Sequence, residues 1–430
     1  MQSPLIQLIP LTAAIPSHQA TTLEVLVKVI PPQGQEAISR PRLNLSLVID
    51  RSSSMAVKGR LDYAKAAARH VVQQLEEGDR LSVVTFDRHV QVPVKSQVLG
   101  DRATIIQSIQ AIPLGKWTNL HGGWEEGGYQ VQQHQGEDRI NRIMLLSDGW
   151  PSVGITKSSI IATNVKKIAA TGISTTTIGV GDDYNEDLLG AIATNGNGNY
   201  HYISAPEHLP EAFEQEMQSL SKLVGQQALL DIRPQGEITI DAVLNHLPVC
   251  SNGQFKLPNL VAGYSFCVVV RLAIPSLDAL GEMADGREIT DELLNLCDFR
   301  LTWHSPSGVP QPPQKVTLQL PVVTATDYAQ YPDNPEVQQQ VALLLSAQFK
   351  QEAMSAADRQ DYSMAHNYLY EAKAIVRDAP PSPALDLDLV ALESLEADLG
   401  ARQIKQFRKR SHKSAYQTQI GYDQTIIPIE

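Results

Sequence analysis

Cysteine is scarce: Cys250, Cys267 and Cys297 are the three in 430 residues. Their wide spacing, and the lack of any Cys-x-x-Cys pair, exclude a disulfide scaffold and a thiolate zinc site. The eleven histidines show no metal-ligand spacing and read as structural or surface residues. No run of about 18 apolar residues occurs, so no segment reads as a membrane-crossing helix. The opening Met1-Gln2-Ser3-Pro4-Leu5 lacks the basic start and apolar core of a signal peptide, and a cytoplasmic location is expected. A Gly-x-x-x-x-Gly-Lys-Ser/Thr loop and a Gly-x-Ser-x-Gly elbow are both missing, which takes away the main phosphate-cradle and nucleophile signatures.

What is present is acidic and globular. Asp plus Glu number 47 against 35 Lys plus Arg, a formal net charge of −12, which disfavours a general polyanion binder. Hydrophobic residues at 43% and charged residues at 19% allow buried cores, and the length implies about three domains. One stretch, Arg402, Lys405, Arg408, Lys409, Arg410 and Lys413, contains no acid. It reads as a solvated helix end, or as partner to Asp386, Asp388, Glu393, Glu396 and Asp398 before it; nucleic-acid or lipid binding is the lesser reading.

Along the chain, Leu23, Val25, Val27 and Val29 alternate in an extended segment closed by Pro31-Pro32. The texture then changes. Strand patterns over 43–49, 79–86, 142–146 and 174–180 alternate with helical spacing over 60–75, 103–112, 122–134 and 158–170, ending in a short helix over 185–193, an edge strand at 200–203 and a helix over 206–223. This alternation predicts an α/β fold, a doubly wound, mostly parallel sheet with helices on both faces. From Val224 β patterns return, with turns at Ser251-Asn252-Gly253 and Ser307-Gly308. They read as an accessory β-sandwich that the N-terminal strands join, with the α/β domain inserted. After Asn334 three helices are expected, over about 335–349, 362–376 and 384–409. The expected organisation is N-terminal strands 1–42, the α/β domain 43–223, the sandwich 224–330, a helical bundle 331–412 and a poorly ordered tail 413–430.

The informative residues lie at the C-terminal ends of the predicted parallel strands, where open α/β sheets place their sites. Asp50-Arg51-Ser52-Ser53-Ser54 follows the first of these strands, Ser147-Asp148-Gly149 follows a later one, and Trp117-Thr118-Asn119 lies in a loop between them. Two carboxylates and three hydroxyls would converge on one sheet edge. Such an oxygen-only set suits Mg²⁺ and does not suit zinc or copper. Read singly, Asp50 is a turn former or the N-cap of the helix from Arg60, and Asp148-Gly149 a turn. Asp182-Asp183 reads as turn and cap chemistry.

Asp50-x-Ser52-x-Ser54, then Thr118, then Asp148-Gly149 resembles the metal-ion-dependent adhesion site of von Willebrand factor A domains. The phrases over 78–86 and Ile178-Gly179-Val180-Gly181 fit too, and the resemblance covers about residues 43–223. It implies a Mg²⁺ ion, with Mn²⁺ or Ca²⁺ as alternatives. Ser52 and Ser54 would coordinate directly, and Thr118 and Asp148 would exchange between direct and water-mediated contact. Asp50 would act through a water and by bonding the serine hydroxyls. The last position would be left for an Asp or Glu carboxylate from a partner protein. Lys116-Trp117 depart from the small residues usual in the family, so Trp117 would shape the rim and Lys116 would weaken the metal or favour an acidic ligand.

The function so implied is a non-enzymatic protein-interaction module. The alternative is a subunit or regulator of an ATPase or of a kinase/phosphatase system. A metal-dependent phosphatase of the haloacid dehalogenase type ranks lower, because its chemistry needs a second acid two residues after the first, where Ser52 stands.

Overall fold

In chain order, β1 (Leu5–Pro10), β2 (Ile15–Pro16) and β3 (Thr21–Ile30) come first. An α/β segment follows: β4 (Arg42–Asp50), α1 (Arg60–Gln74), β5 (Arg80–Phe86), β6 (Val90–Val98), α2 (Arg102–Gln110), α3 (Leu120–Gln132), β7 (Arg139–Ser147), α4 (Ser158–Ala170), β8 (Ile173–Val180), α5 (Glu186–Asn195), β9 (Tyr200–Ile203) and α6 (Leu209–Ser221). Next are β10 (Leu223–Pro234), β11 (Thr239–Val243), β12 (Phe255–Lys256), β13 (Leu260–Val261), β14 (Phe266–Ile274), β15 (Leu293–His304) and β16 (Gln314–Val323). Helices α7 (Ala325–Tyr328), α8 (Pro335–Asp358), α9 (Tyr362–Asp378), α10 (Pro383–Gly400) and α11 (Ile404–Gln419) follow. The structure, a computed structural model, describes residues 3–17, 19–32, 41–136, 139–181, 183–276, 293–306 and 308–419. Asp182, Ser307 and residues 420–430 of the expected tail lie outside the described residues.

Two compact units form: Gln35–Gln227 with His304–Pro310, and Met1–Gly34 with Ala228–Trp303 and Gln311–Glu430. The first is built on a sheet of order β6-β5-β4-β7-β8-β9. All its pairings are parallel except that of β5 with β6. β4, β7 and β8 are buried nearly end to end, as strands covered on both faces must be. The strand order reverses between β4 and β7, so the loops leaving those strands diverge and open a crevice at their C-terminal ends. Register pairs Ile49 with Leu146, which makes Asp50 and Ser147 the adjacent last residues of the two strands. Helix α3 crosses close over this junction, since a Cβ at Gly127 would lie 2.4 Å from Val48 and one at Gly123 the same distance from Phe86. β6 has no counterpart in the sequence reading. Its half-exposed face and Pro93 mask the strand pattern, and Pro is tolerated there because β6 is an edge.

A buried polar cluster fixes α6 to this sheet. Glu216, fully buried, accepts bonds from Thr176 Oγ1 (2.6 Å) and Asn199 Nδ2 (2.8 Å) and pairs with Arg142 (3.4 Å) and His201 (3.3 Å). Burial pushes its carboxyl up, but Arg142, His201 and Thr176 together outweigh that and hold it at about 2. A carboxyl depressed in the folded state adds stability above its unfolded value, and loses it as pH falls through the folded value. Glu216→Gln is therefore expected to cost about 3–5 kcal/mol at neutral pH. The deficit should shrink as pH falls from about 4.5 towards 2, which urea unfolding of both proteins across that range would check.

In the second unit, where the accessory sandwich was expected, there are two sheets of order β1-β3-β14-β11 and β12-β10-β15-β16-β2, with β13 paired to β10. β3 runs antiparallel to β14 from Phe266↔Val29 to Ile274↔Thr21, so strands from both sides of the α/β segment share one sheet. Val337 and Leu344 of α8 pack with Leu26, Cys267 and Val269. A second core joins α8 to α11 through residues such as Leu343, Leu369, Leu392, Leu399 and Phe407.

The expected third helix is two helices. It breaks at 401–403, where Arg402 adopts φ 56°, and resumes as α11 through Gln419, so residues 413–419 are helical rather than tail. The basic stretch lies largely on α11, where Arg408 pairs with Asp358 and Arg410 with Asp398 (3.0 Å). Those pairings favour the internal over the polyanion-binding reading. Among the described residues no helix is long and apolar enough to cross a membrane.

Candidate metal centre

The site is built from the turn that ends β4. Asp50 is fully buried; its Oδ1 accepts the Ser52 amide (2.8 Å) and its Oδ2 the Ser147 hydroxyl (2.6 Å). That first bond is an Asx-type clasp that turns the chain before a 3-10 segment, Ser53–Gly59. The N-cap of α1 is Gly59, so Asp50 does not cap that helix. Ser52 Oγ lies 3.0 Å from Ser54 Oγ, and Ser54 Oγ donates to Asp148 Oδ1 (2.6 Å). Thr118 is held by a reciprocal pair with Ser152: its amide donates to the Ser152 hydroxyl (2.8 Å) and its carbonyl accepts the Ser152 amide (2.9 Å). A Cβ at Gly149 would stand 3.5 Å from both Ser54 Oγ and Thr118 Oγ1. Three distant stretches thus bring Asp50, Ser52, Ser54, Thr118 and Asp148 together at the crevice between β4 and β7.

The charges are unbalanced. Asp148 Oδ2 accepts a bond from Arg60 Nη1 at 2.7 Å, and both groups are buried. Burial, then the neighbouring Asp148 charge, pushes the Asp50 carboxyl up to about 7 against the bonds from Ser147 and Ser52. Burial also raises Asp148, against Ser54 and Arg60. Of these two desolvated carboxylates, Asp148 is the one bonded to a cationic side chain, an arrangement that a further cation would relieve.

Arg60 was not among the residues singled out from sequence. A signal was there: it occupies the first position of α1 behind a Gly N-cap, where a cation opposes the helix dipole. Such a mismatch points to a tertiary partner. The guanidinium also explains Gly181, whose Cβ would fall 2.2 Å from Arg60 Nη2.

A second missed pair shapes the middle loop. Asp87 Oδ1 accepts Arg51 Nη2 (2.9 Å) and the His89 amide (2.8 Å), Oδ2 accepts the Lys116 amide (3.3 Å), and its carbonyl accepts the Asn119 amide (2.8 Å). Gly115 donates to the Arg51 carbonyl at 2.6 Å, and a Cβ there would fall 2.2 Å from Asp87 Oδ2. Clamped on both sides, Trp117 takes φ 67°, a left-handed conformation costing a bulky residue about 1–2 kcal/mol. Strain of that kind persists where surrounding bonds over-determine it.

Above these groups lies a cavity of about 560 Å³, lined by Ser52–Ser54, Lys116, Thr118, Asp148, Gly149, Ser152, Asp183 and two tryptophans, Trp117 and Trp150. Hydroxyl and carboxylate oxygens fit a hard divalent ion. Among the described residues no group of three or more His, Cys, Asp or Glu could hold a metal, so any ion here relies on the hydroxyls.

Residues 44–215 match the von Willebrand factor type A domain family. An uncharacterised protein of Synechocystis sp. is 32% identical over 204 residues, 46% of this chain and 47% of that protein, so the chain spans about half of its length. Two solved structures share the fold across nearly the whole chain. One is the von Willebrand factor type A protein from Catenulispora acidiphila, with TM-score 0.69 and 14% identity over 92% of this chain and 90% of that one. The other is the ArnB paralog VWA2 from Sulfolobus acidocaldarius, with TM-score 0.63 and 16% identity over 98% of each.

Proposed function

Residues 44–215 are a von Willebrand factor type A domain, and from that premise we propose that the chain is a non-enzymatic interaction module capturing a partner's Asp or Glu carboxylate through Mg²⁺. Ser52, Ser54, Thr118, Asp148 and Asp50 would hold the ion, and the ion would supply a directed, strongly electrophilic contact. The observation that carries this reading is the chain of bonds Asp148–Ser54–Ser52 beside Asp50, all oxygen and short of positive charge. A partner carboxylate meeting only a surface ion pair would gain about 0–1 kcal/mol. Coordination adds direction and strength to that contact.

The test has two readouts. Mg²⁺ titrated calorimetrically into EDTA-stripped protein is expected to give a saturable heat that Asp50→Ala with Ser52→Ala abolishes. Pull-downs from source lysate are expected to retain proteins in Mg²⁺ and release them in EDTA. Heat and retention indifferent to both chelation and the double substitution would overturn the proposal.

A further inference from the structure

The mouth of the site carries two large apolar side chains where solvent would ordinarily favour polar ones. Trp117 is 55% exposed and Trp150 61% exposed, and both line the cavity that has the hydroxyls and Asp148 as its floor. Scattered exposed apolar residues need no explanation, but two indoles bracketing one concave polar site do. Exposed Trp is the residue type most enriched among energetic anchors of interfaces.

Trp117 is also held in place before any partner arrives. The Arg88 amide donates to the Lys116 carbonyl at 2.9 Å and the Asn119 amide to the Asp87 carbonyl at 2.8 Å, on either side of its left-handed backbone. The backbone that carries the ring is thus set before binding and need not be ordered at that moment.

Resting on the metal–carboxylate reading, we infer that Lys116, Trp117 and Trp150 form a second subsite, which selects extended partner segments whose acidic residue has an aliphatic or aromatic neighbour. The metal position and Lys116 attract the acid. The metal position takes one carboxylate, so a run of acids gains less than one acid beside an apolar side chain. The indole faces cover that apolar side chain.

Selection of random short peptides displayed on phage, against the full chain in Mg²⁺, tests the inference. The wild type is expected to enrich Asp or Glu with Leu, Phe, Tyr or Trp within about two positions. Trp117→Asn with Trp150→Ser keeps the left-handed turn accessible and leaves the Mg²⁺ heat unchanged. This double variant is expected to enrich acids without the apolar neighbour and to bind the wild-type consensus about tenfold more weakly. Trp150→Ser alone, which leaves the strained Trp117 backbone untouched, shifts the same preference part of the way. Enrichment of acids with no apolar neighbour, or of acidic runs, by the wild type overturns the subsite and leaves the metal–carboxylate reading standing. Absence of any Mg²⁺-dependent enrichment overturns that reading and the subsite with it.

Discussion

Lys350→Ala is expected to destabilise the helical part of the protein by about 3–5 kcal/mol, the usual cost of stranding one member of a buried ion pair. Lys350 on α8 is fully buried; it bonds Asp388 on α10 and donates to Ser414 on α11 at 2.9 Å. Ser346, one turn earlier on α8, donates to the other Asp388 oxygen at 2.6 Å. One ammonium thus ties three helices, and its loss leaves the Asp388 carboxylate in the core with a single hydroxyl donor. The double replacement Lys350→Met with Asp388→Leu removes both charges at similar volume and is expected to recover most of the loss. Urea unfolding reads both as shifts in midpoint at constant slope. A double variant no more stable than the single one would mean that the core cannot repack, and that the pair is not the source of the cost.

The same pair shows why the end of the chain was hard to read. Residues 413–419 are polar and basic, without an apolar stripe to mark a helix, yet α11 forms because Lys350 reaches Ser414 and Asp398 reaches Arg410. Those partners are 64 and 12 residues away, respectively, beyond the range of any local pattern. The break at Arg402 was likewise invisible, since Gly400 can also sit inside a helical run. By contrast β4, β7 and β8 were legible as unbroken apolar or β-branched runs, because both of their faces are covered.

At the site, the five side chains that come together could be named from sequence because strand ends in a doubly wound sheet converge wherever the strand order reverses. Their supports could not. Arg51, Asp87 and Ser147 act through bonds to backbone amides or to a carboxylate from another segment, and no local pattern marks those partners. Arg60 is the intermediate case: its position at the start of α1 is locally wrong, and a local mistake in an otherwise consistent helix marks a contact made elsewhere.

Arg60 is also where loss should be most revealing. Its Nη1 bonds Asp148 at 2.7 Å, while its Nε is buried without a hydrogen-bond partner. The guanidinium thus meets Asp148 through Nη1 while its Nε gains no bond of its own. Without metal, Arg60→Met leaves Asp148 and Asp50 with no cationic side chain bonded to either, and a cost of about 3–5 kcal/mol is expected. A divalent ion at the hydroxyls would replace the missing charge, and at about 100 times its Kd it stabilises a folded state by about 2.7 kcal/mol. The wild type, already carrying one cation, should gain less from the same ion concentration because its affinity is lower. The deficit of Arg60→Met measured by urea unfolding in EDTA should thus narrow in Mg²⁺, and its Mg²⁺ affinity should exceed that of the wild type. Arg60→Lys keeps a positive charge and should behave as the wild type in both conditions, separating charge from packing against Gly181. An equal deficit with and without Mg²⁺ would show that Arg60 and the ion do not act on the same two carboxylates.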